Sequence, residues 1–137
     1  MPLTVDEADA VLAGNFAPWV QALGLHTVSV DGPTAVLRLP WSKALAREGG
    51  ALSGQAIMAA ADTATVIAIS SASGTYRPMT TVQQSVTFRR PVIDADVLFT
   101  ATVNKLGRSM AFTDIDAALE GTGAQVAQAS TVYALLG

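Results

Sequence analysis

From Gly49 to Tyr76 the chain reads GGALSGQAIMAAADTATVIAISSASGTY, and the only charged side chain in that stretch is Asp62. Between Gln55 and Ile69 almost every residue is small or apolar, the composition of a helix buried on nearly all sides. A central helix is predicted over residues 53–71. Gly49, Gly50 and Gly54 mark the turn before it, and Ser53 stands at the N-cap, where its hydroxyl can accept from an otherwise orphaned amide. The segment is expected to be too short and too rich in Ala, Thr and Ser to span a membrane. A helix of such small girth can be wrapped closely by a sheet.

On either side of it the apolar period falls to two. Residues 25–30 and 34–39 alternate and flank Asp31-Gly32-Pro33, which predicts a hairpin. After a turn-rich connection at 70–78, four strand-like runs follow at 79–89, 95–106, 109–119 and 124–135. Gly107 and the run Glu120-Gly121-Thr122-Gly123 separate the later ones, so a meander is expected. In the first run Val82, Gln84, Val86 and Phe88 alternate with Thr81, Gln83, Ser85 and Thr87, giving one markedly polar face. The N-terminal residues 1–23 form a helical region in two pieces, with Asp6, Glu7 and Asp9 in a favourable first turn and Gly14-Asn15 as the break. Pro18 opens the second piece, and Trp19 is expected on the core. Residues 41–50 form a loop carrying Lys43, Arg47 and Glu48, which either lines a site or simply connects. These elements predict one α+β domain over residues 1–137, a curved antiparallel sheet around the central helix.

Composition adds an expectation of assembly. Charged residues make up 14% of the 137 residues, well below the usual ~25%. So little charge leaves surface to be covered by another copy, a homodimer or homotetramer. The net charge is −3, and no basic cluster exceeds Arg89-Arg90, so nucleic acid is not an expected partner. An acidic N-terminus and no run of spanning length point to a cytoplasmic protein without membrane attachment.

Cysteine is absent and His26 is the only histidine. That removes disulfides, thiol nucleophiles and Cys-ligated zinc, and no metal site is expected. A Ser-His-Asp triad would have to use His26, but no Gly-x-Ser-x-Gly elbow supplies the serine. His26 reads as a half-exposed strand residue. Carboxylates, hydroxyls and backbone amides are left to carry any chemistry. Asp62 shares its helix face with Met58, Ala59, Thr65 and Val66. A carboxylate among these is costly unless it is hydrogen-bonded, exposed in a cleft or protonated. It is either a structural carboxylate bonded to a hydroxyl such as Thr63 or Thr65, or a general base or nucleophile.

The segment GGALSGQAIMAAADTA with the later TTVQQSVTFRRP resembles the hotdog-fold acyl-CoA thioesterases of the phenylacetic acid degradation (PaaI-like) type, over roughly residues 15–136. In that family a His-Gly-Gly turn opens the helix and an acid nine residues after the His does the chemistry. Here Ser53, Gly54 and Gln55 take the turn positions and Asp62 takes the acid's. The resemblance implies a thioester hydrolase in which the Gly54 amide, with Gln55, holds the oxyanion. Asp62, contributed across a dimer interface, would attack the carbonyl or activate water, and Thr81 would orient that water. Arg47 stands where relatives often carry an amide that positions the water or the carboxylate. Arg89, Arg90, Lys105 and Arg108 are candidates to meet the phosphates of coenzyme A, which is part of the substrate, so no separate cofactor is implied. Met58, Val66 and Tyr76 are expected to line the acyl pocket. The alternatives are a non-catalytic hotdog module that binds acyl-CoA or a related ligand, and an assembly partner whose apolar surface is only an interface.

Overall fold

The computed structural model describes residues 2–137. Two short helices, α1 (Val5–Gly14) and α2 (Pro18–Gln21), lead into the hairpin strands β1 (His26–Asp31) and β2 (Thr34–Leu39). A single 3-10 turn, Lys43–Leu45, precedes the long helix α3 (Gly54–Ser73). The strands β3 (Met79–Phe88), β4 (Val97–Leu106), β5 (Met110–Leu119) and β6 (Gln125–Leu135) complete the chain. All strand pairs are antiparallel, in the order β1-β2-β4-β5-β6-β3. This is the expected α+β hotdog arrangement, one sheet curved around one helix.

The reason α3 can be enclosed lies in its side chains. The hydroxyls of Thr63, Thr65 and Ser70 donate to the carbonyls of Ala59, Ala61 and Val66, one turn back along the same helix. Thr63 and Ser70 therefore demand nothing of the sheet, while Thr65 also meets the Thr131 hydroxyl of β6. The alanines between them let β2 and β4 approach, and Leu37, Leu39, Val97 and Phe99 close over the helix fully buried. Ser53 caps the start, accepting from the Ala56 amide at 3.2 Å, and Gly74 ends the helix at φ 82°, a left-handed conformation suited to glycine.

Three expectations are corrected. With 20 residues and a mean hydropathy of 1.4, α3 is long and apolar enough to cross a bilayer by those measures alone. Here it is the core helix of the fold, with 72% of that stretch buried. Trp19 lies 63% exposed, because α2 is a single turn whose inward contacts are taken by Val20 and the preceding Phe16. The meander is real for β4-β5-β6, but β3 pairs with β6, not β4. Residues 89–96 carry the chain past the ends of β6 and β5, held by Arg89 N–H to the Val126 carbonyl and by Leu52 N–H to the Val92 carbonyl. A register shift between Thr81 and Gln83 also breaks the alternation of β3, leaving Val82 exposed.

Candidate active site

Asp62 sits midway along α3, facing the end of the sheet where β3 meets β6. Neither Thr63 nor Thr65 bonds it, since both hydroxyls are turned back to the helix, Thr65 also lying 3.0 Å from Thr131 Oγ1. Its partners come from the strands. Thr81 Oγ1 donates to Asp62 Oδ1 at 2.9 Å, and the Tyr133 hydroxyl lies 2.5 Å from the same oxygen. That hydroxyl is also 2.9 Å from the backbone carbonyl of Asp62. Thr81 and Tyr133 face each other across the β3–β6 pair. Among the described residues, Oδ2 accepts no hydrogen bond. Tyr133 is buried, and that burial, followed by the neighbouring Asp62 charge, pushes its ionisation far above the ordinary tyrosine range. It is therefore a neutral donor. A cavity of about 240 Å³ opens beside the carboxylate, with Phe16, Val66, Tyr76 and Met79 among its walls.

The other half of the predicted chemistry gathers at the start of α3. Gly54 and Gln55 are the first helical residues, so their amides lack intrahelical acceptors and lie at the positive end of the helix dipole. The Phe88 ring lies against Gly54, and a Cβ built there would come within 3.3 Å of it. That close approach, not the backbone angle, is what a side chain would disturb. Gly54 and Phe88 line a cleft of about 430 Å³ together with Arg47, Arg89 and Arg90. The Arg47 guanidinium donates to the Glu48 carbonyl at 2.8 Å, and Arg89 reaches Gln128.

The predicted residues thus fall into two groups. Asp62, Thr81, Val66 and Tyr76 share the first cavity, and Gly54, Arg47, Arg89 and Arg90 share the second. Eight residues of helix, about 12 Å of rise, separate Gly54 from Asp62. One thioester carbonyl cannot touch both within one protomer. Several assignments shift accordingly. Thr81 spends its proton on Asp62, so it holds the carboxylate. Arg47 lies by the helix mouth, lining the Gly54 cleft of its own protomer. Met58 is exposed and does not line the Asp62 cavity; its carbonyl accepts from Gln84. Lys105 and Arg108 lie at the far end of β4, roughly 30 Å of strand from Arg89-Arg90. His26 Nε2 lies 3.0 Å from Arg38, which also pairs with Glu120. Among the described residues no cluster of three or more His, Asp or Glu side chains could hold a metal.

Sequence reasoning missed Tyr133 and the Phe88 contact. Tyr133 reads as one more apolar position in β6, and its only signal was that a buried phenol needs a partner for its hydroxyl.

Residues 49–124, more than half of the chain and all of the site's helix, match the family described as the thioesterase superfamily. The chain belongs to that superfamily. Solved structures share its thioesterase-superfamily fold. Zebrafish thioesterase superfamily member 2 is 24% identical, with a TM-score of 0.86 over 98% of this chain and 99% of that one. The PaaI protein of the phenylacetic acid degradation operon of E. coli is 21% identical, with a TM-score of 0.84 over 96% and 92%. A hypothetical thioesterase from Streptococcus pneumoniae TIGR4, solved with coenzyme A, is 15% identical, with a TM-score of 0.76 over 82% and 86%. No curated protein matches the chain.

Proposed function

We propose that this protein is an acyl-CoA thioesterase of the PaaI-like type that builds each active site from two copies of the chain. The observation that carries the reading is Asp62. It is the one charged residue of α3, its Oδ1 is held by two strand hydroxyls, and its Oδ2 is free beside a cavity whose walls mix apolar Phe16, Val66 and Met79 with polar Asn15, Thr80 and Thr81. Membership of the thioesterase superfamily and the coenzyme A in the streptococcal neighbour support the same reading.

In the proposed site the Gly54 mouth of one copy faces the Asp62 of the other. The thioester oxygen points at the Gly54 and Gln55 amides. Asp62 Oδ2 takes a proton from water as the water oxygen adds to the carbonyl carbon, or adds to that carbon itself. The oxyanion that forms is stabilised by amides already in place, which need not reorganise. Its collapse breaks the carbon–sulfur bond and expels the coenzyme A thiolate, giving the free acid where water attacked, or an acyl–Asp62 anhydride that a water then hydrolyses to the acid and the free carboxylate. That leaving group needs no strong general acid, which suits a site without histidine. Arg47, Arg89 and Arg90 around the mouth are positioned to meet phosphate groups, whereas Lys105 and Arg108 lie outside that cradle in the same protomer.

A panel of acyl-CoA esters of varied chain length and aromatic character tests the reading. Asp62→Asn is expected to lose about 10²-fold or more in kcat while remaining folded. Near-wild-type turnover by that variant refutes the role of Asp62. Thermal stabilisation by coenzyme A with no turnover of any ester would point instead to a ligand-binding module.

A further inference from the structure

We infer that Tyr133 is a positioning residue of this site: with Thr81 it occupies Oδ1 of Asp62 and so selects Oδ2 as the oxygen that does the chemistry. The inference rests on the proposed role of Asp62. It concerns a residue on the last strand, 71 positions away in sequence.

A buried tyrosine hydroxyl requires one acceptor, and the backbone carbonyl of Asp62 at 2.9 Å would have satisfied it. Yet the hydroxyl comes closer still, 2.5 Å, to the carboxylate of that same residue. A separation that short is typical of a hydroxyl bonded to a charged oxygen. One rigid phenol therefore touches both the backbone and the side chain of Asp62, which fixes how the carboxylate is turned relative to its helix. Thr81 approaches the same oxygen from the neighbouring strand at 2.9 Å. The two donors are cross-strand partners, and the irregularity in β3 begins immediately after Thr81. Two strands thus converge on one oxygen of the helix-borne carboxylate and leave the other to the cavity. The single proton of Tyr133 also has two destinations. It lies on Oδ1 while Asp62 is ionised, and it can swing to the carbonyl when Asp62 takes up a proton during turnover, with no movement of the ring.

Tyr133→Phe keeps the ring and removes only the hydroxyl. The expected result is a kcat lowered by about 10- to 100-fold, since a misplaced reacting group costs that order, with KM changed by less than about threefold. A structural role alone would not give the second result, in which Asp62→Asn/Tyr133→Phe is no slower than Asp62→Asn. Additive losses, or a wild-type kcat in Tyr133→Phe beside an inactive Asp62→Asn, overturn the inference and leave the reading of Asp62 standing. An active Asp62→Asn removes that reading, and this one with it. Should Tyr133→Phe fail to fold, fluorinated tyrosines placed at position 133 alter the donor strength while conserving the packing. Turnover is expected to fall severalfold as the phenol becomes more acidic, because the carboxylate it binds becomes less basic; turnover indifferent to phenol acidity overturns the inference.

Discussion

Tyr133 buries its hydroxyl beside a carboxylate, and the energetic consequence can be read in alkali. Its ionisation is pushed above the ordinary value of 10.0, first by burial and then by the Asp62 charge. A group whose folded value is raised contributes stability that is complete below the ordinary value. That contribution is lost as pH rises from there towards the folded value. Urea unfolding between pH 8 and pH 11 should therefore show wild-type stability falling more steeply above about pH 10 than that of Tyr133→Phe. Parallel profiles would show that Tyr133 does not resist ionisation. At this scale Asp62 was legible in the sequence, because a lone charge in an apolar helix is conspicuous. Its partners were not. Thr63 and Thr65 are adjacent in sequence but bond back along the helix, whereas Tyr133 meets Asp62 only through the pairing of β3 with β6.

The mouth of α3 separates a cap from a chemical contact. Ser53 holds the Ala56 amide, so Ser53→Ala should lose about 1 kcal/mol of stability and keep its turnover. Gly54→Val should behave in the opposite way. Its side chain would press on the Phe88 ring, which is half exposed and can move, so the protein stays folded. The displaced ring and the added bulk would block the approach to the Gly54 amide. Melting curves and steady-state kinetics on both variants check the contrast, and an inactive but folded Ser53→Ala would make the serine a reactant. Pattern alone placed the start of this helix and the β1–β2 hairpin closely, because capping and alternation are local. It failed on Trp19 and on the exposure of β3. One single-turn helix and one register shift decide those, and neither leaves a period in the sequence.

Across the whole molecule, the mouth and the acid of one protomer are about 12 Å apart along α3, so in the proposed site one copy supplies two half-sites. Mixing Asp62→Asn with Gly54→Val after joint unfolding and refolding should restore about a quarter of wild-type turnover in a dimer, since mixed pairs hold one intact site. Sedimentation at micromolar concentration should show no substantial monomer. If the mixture stays inactive while exchange of subunits is demonstrated, the site is not shared. The crossing of residues 89–96 was illegible because hairpin signals report only neighbours in sequence, and β3 finds its partner at the other end of the chain. This topology has a consequence for the protein during its synthesis. The strands β3 to β6 that enclose α3 all follow it in the chain, so the helix leaves the ribosome before most of its cover exists. For that interval it is a 20-residue apolar segment with the hydropathy of a membrane anchor. A single aspartate near the centre of such a segment raises the cost of translocon-mediated insertion by about 2.5–3.5 kcal/mol. The carboxylate at the centre of the candidate site therefore also biases the unfinished chain against being sorted into a bilayer.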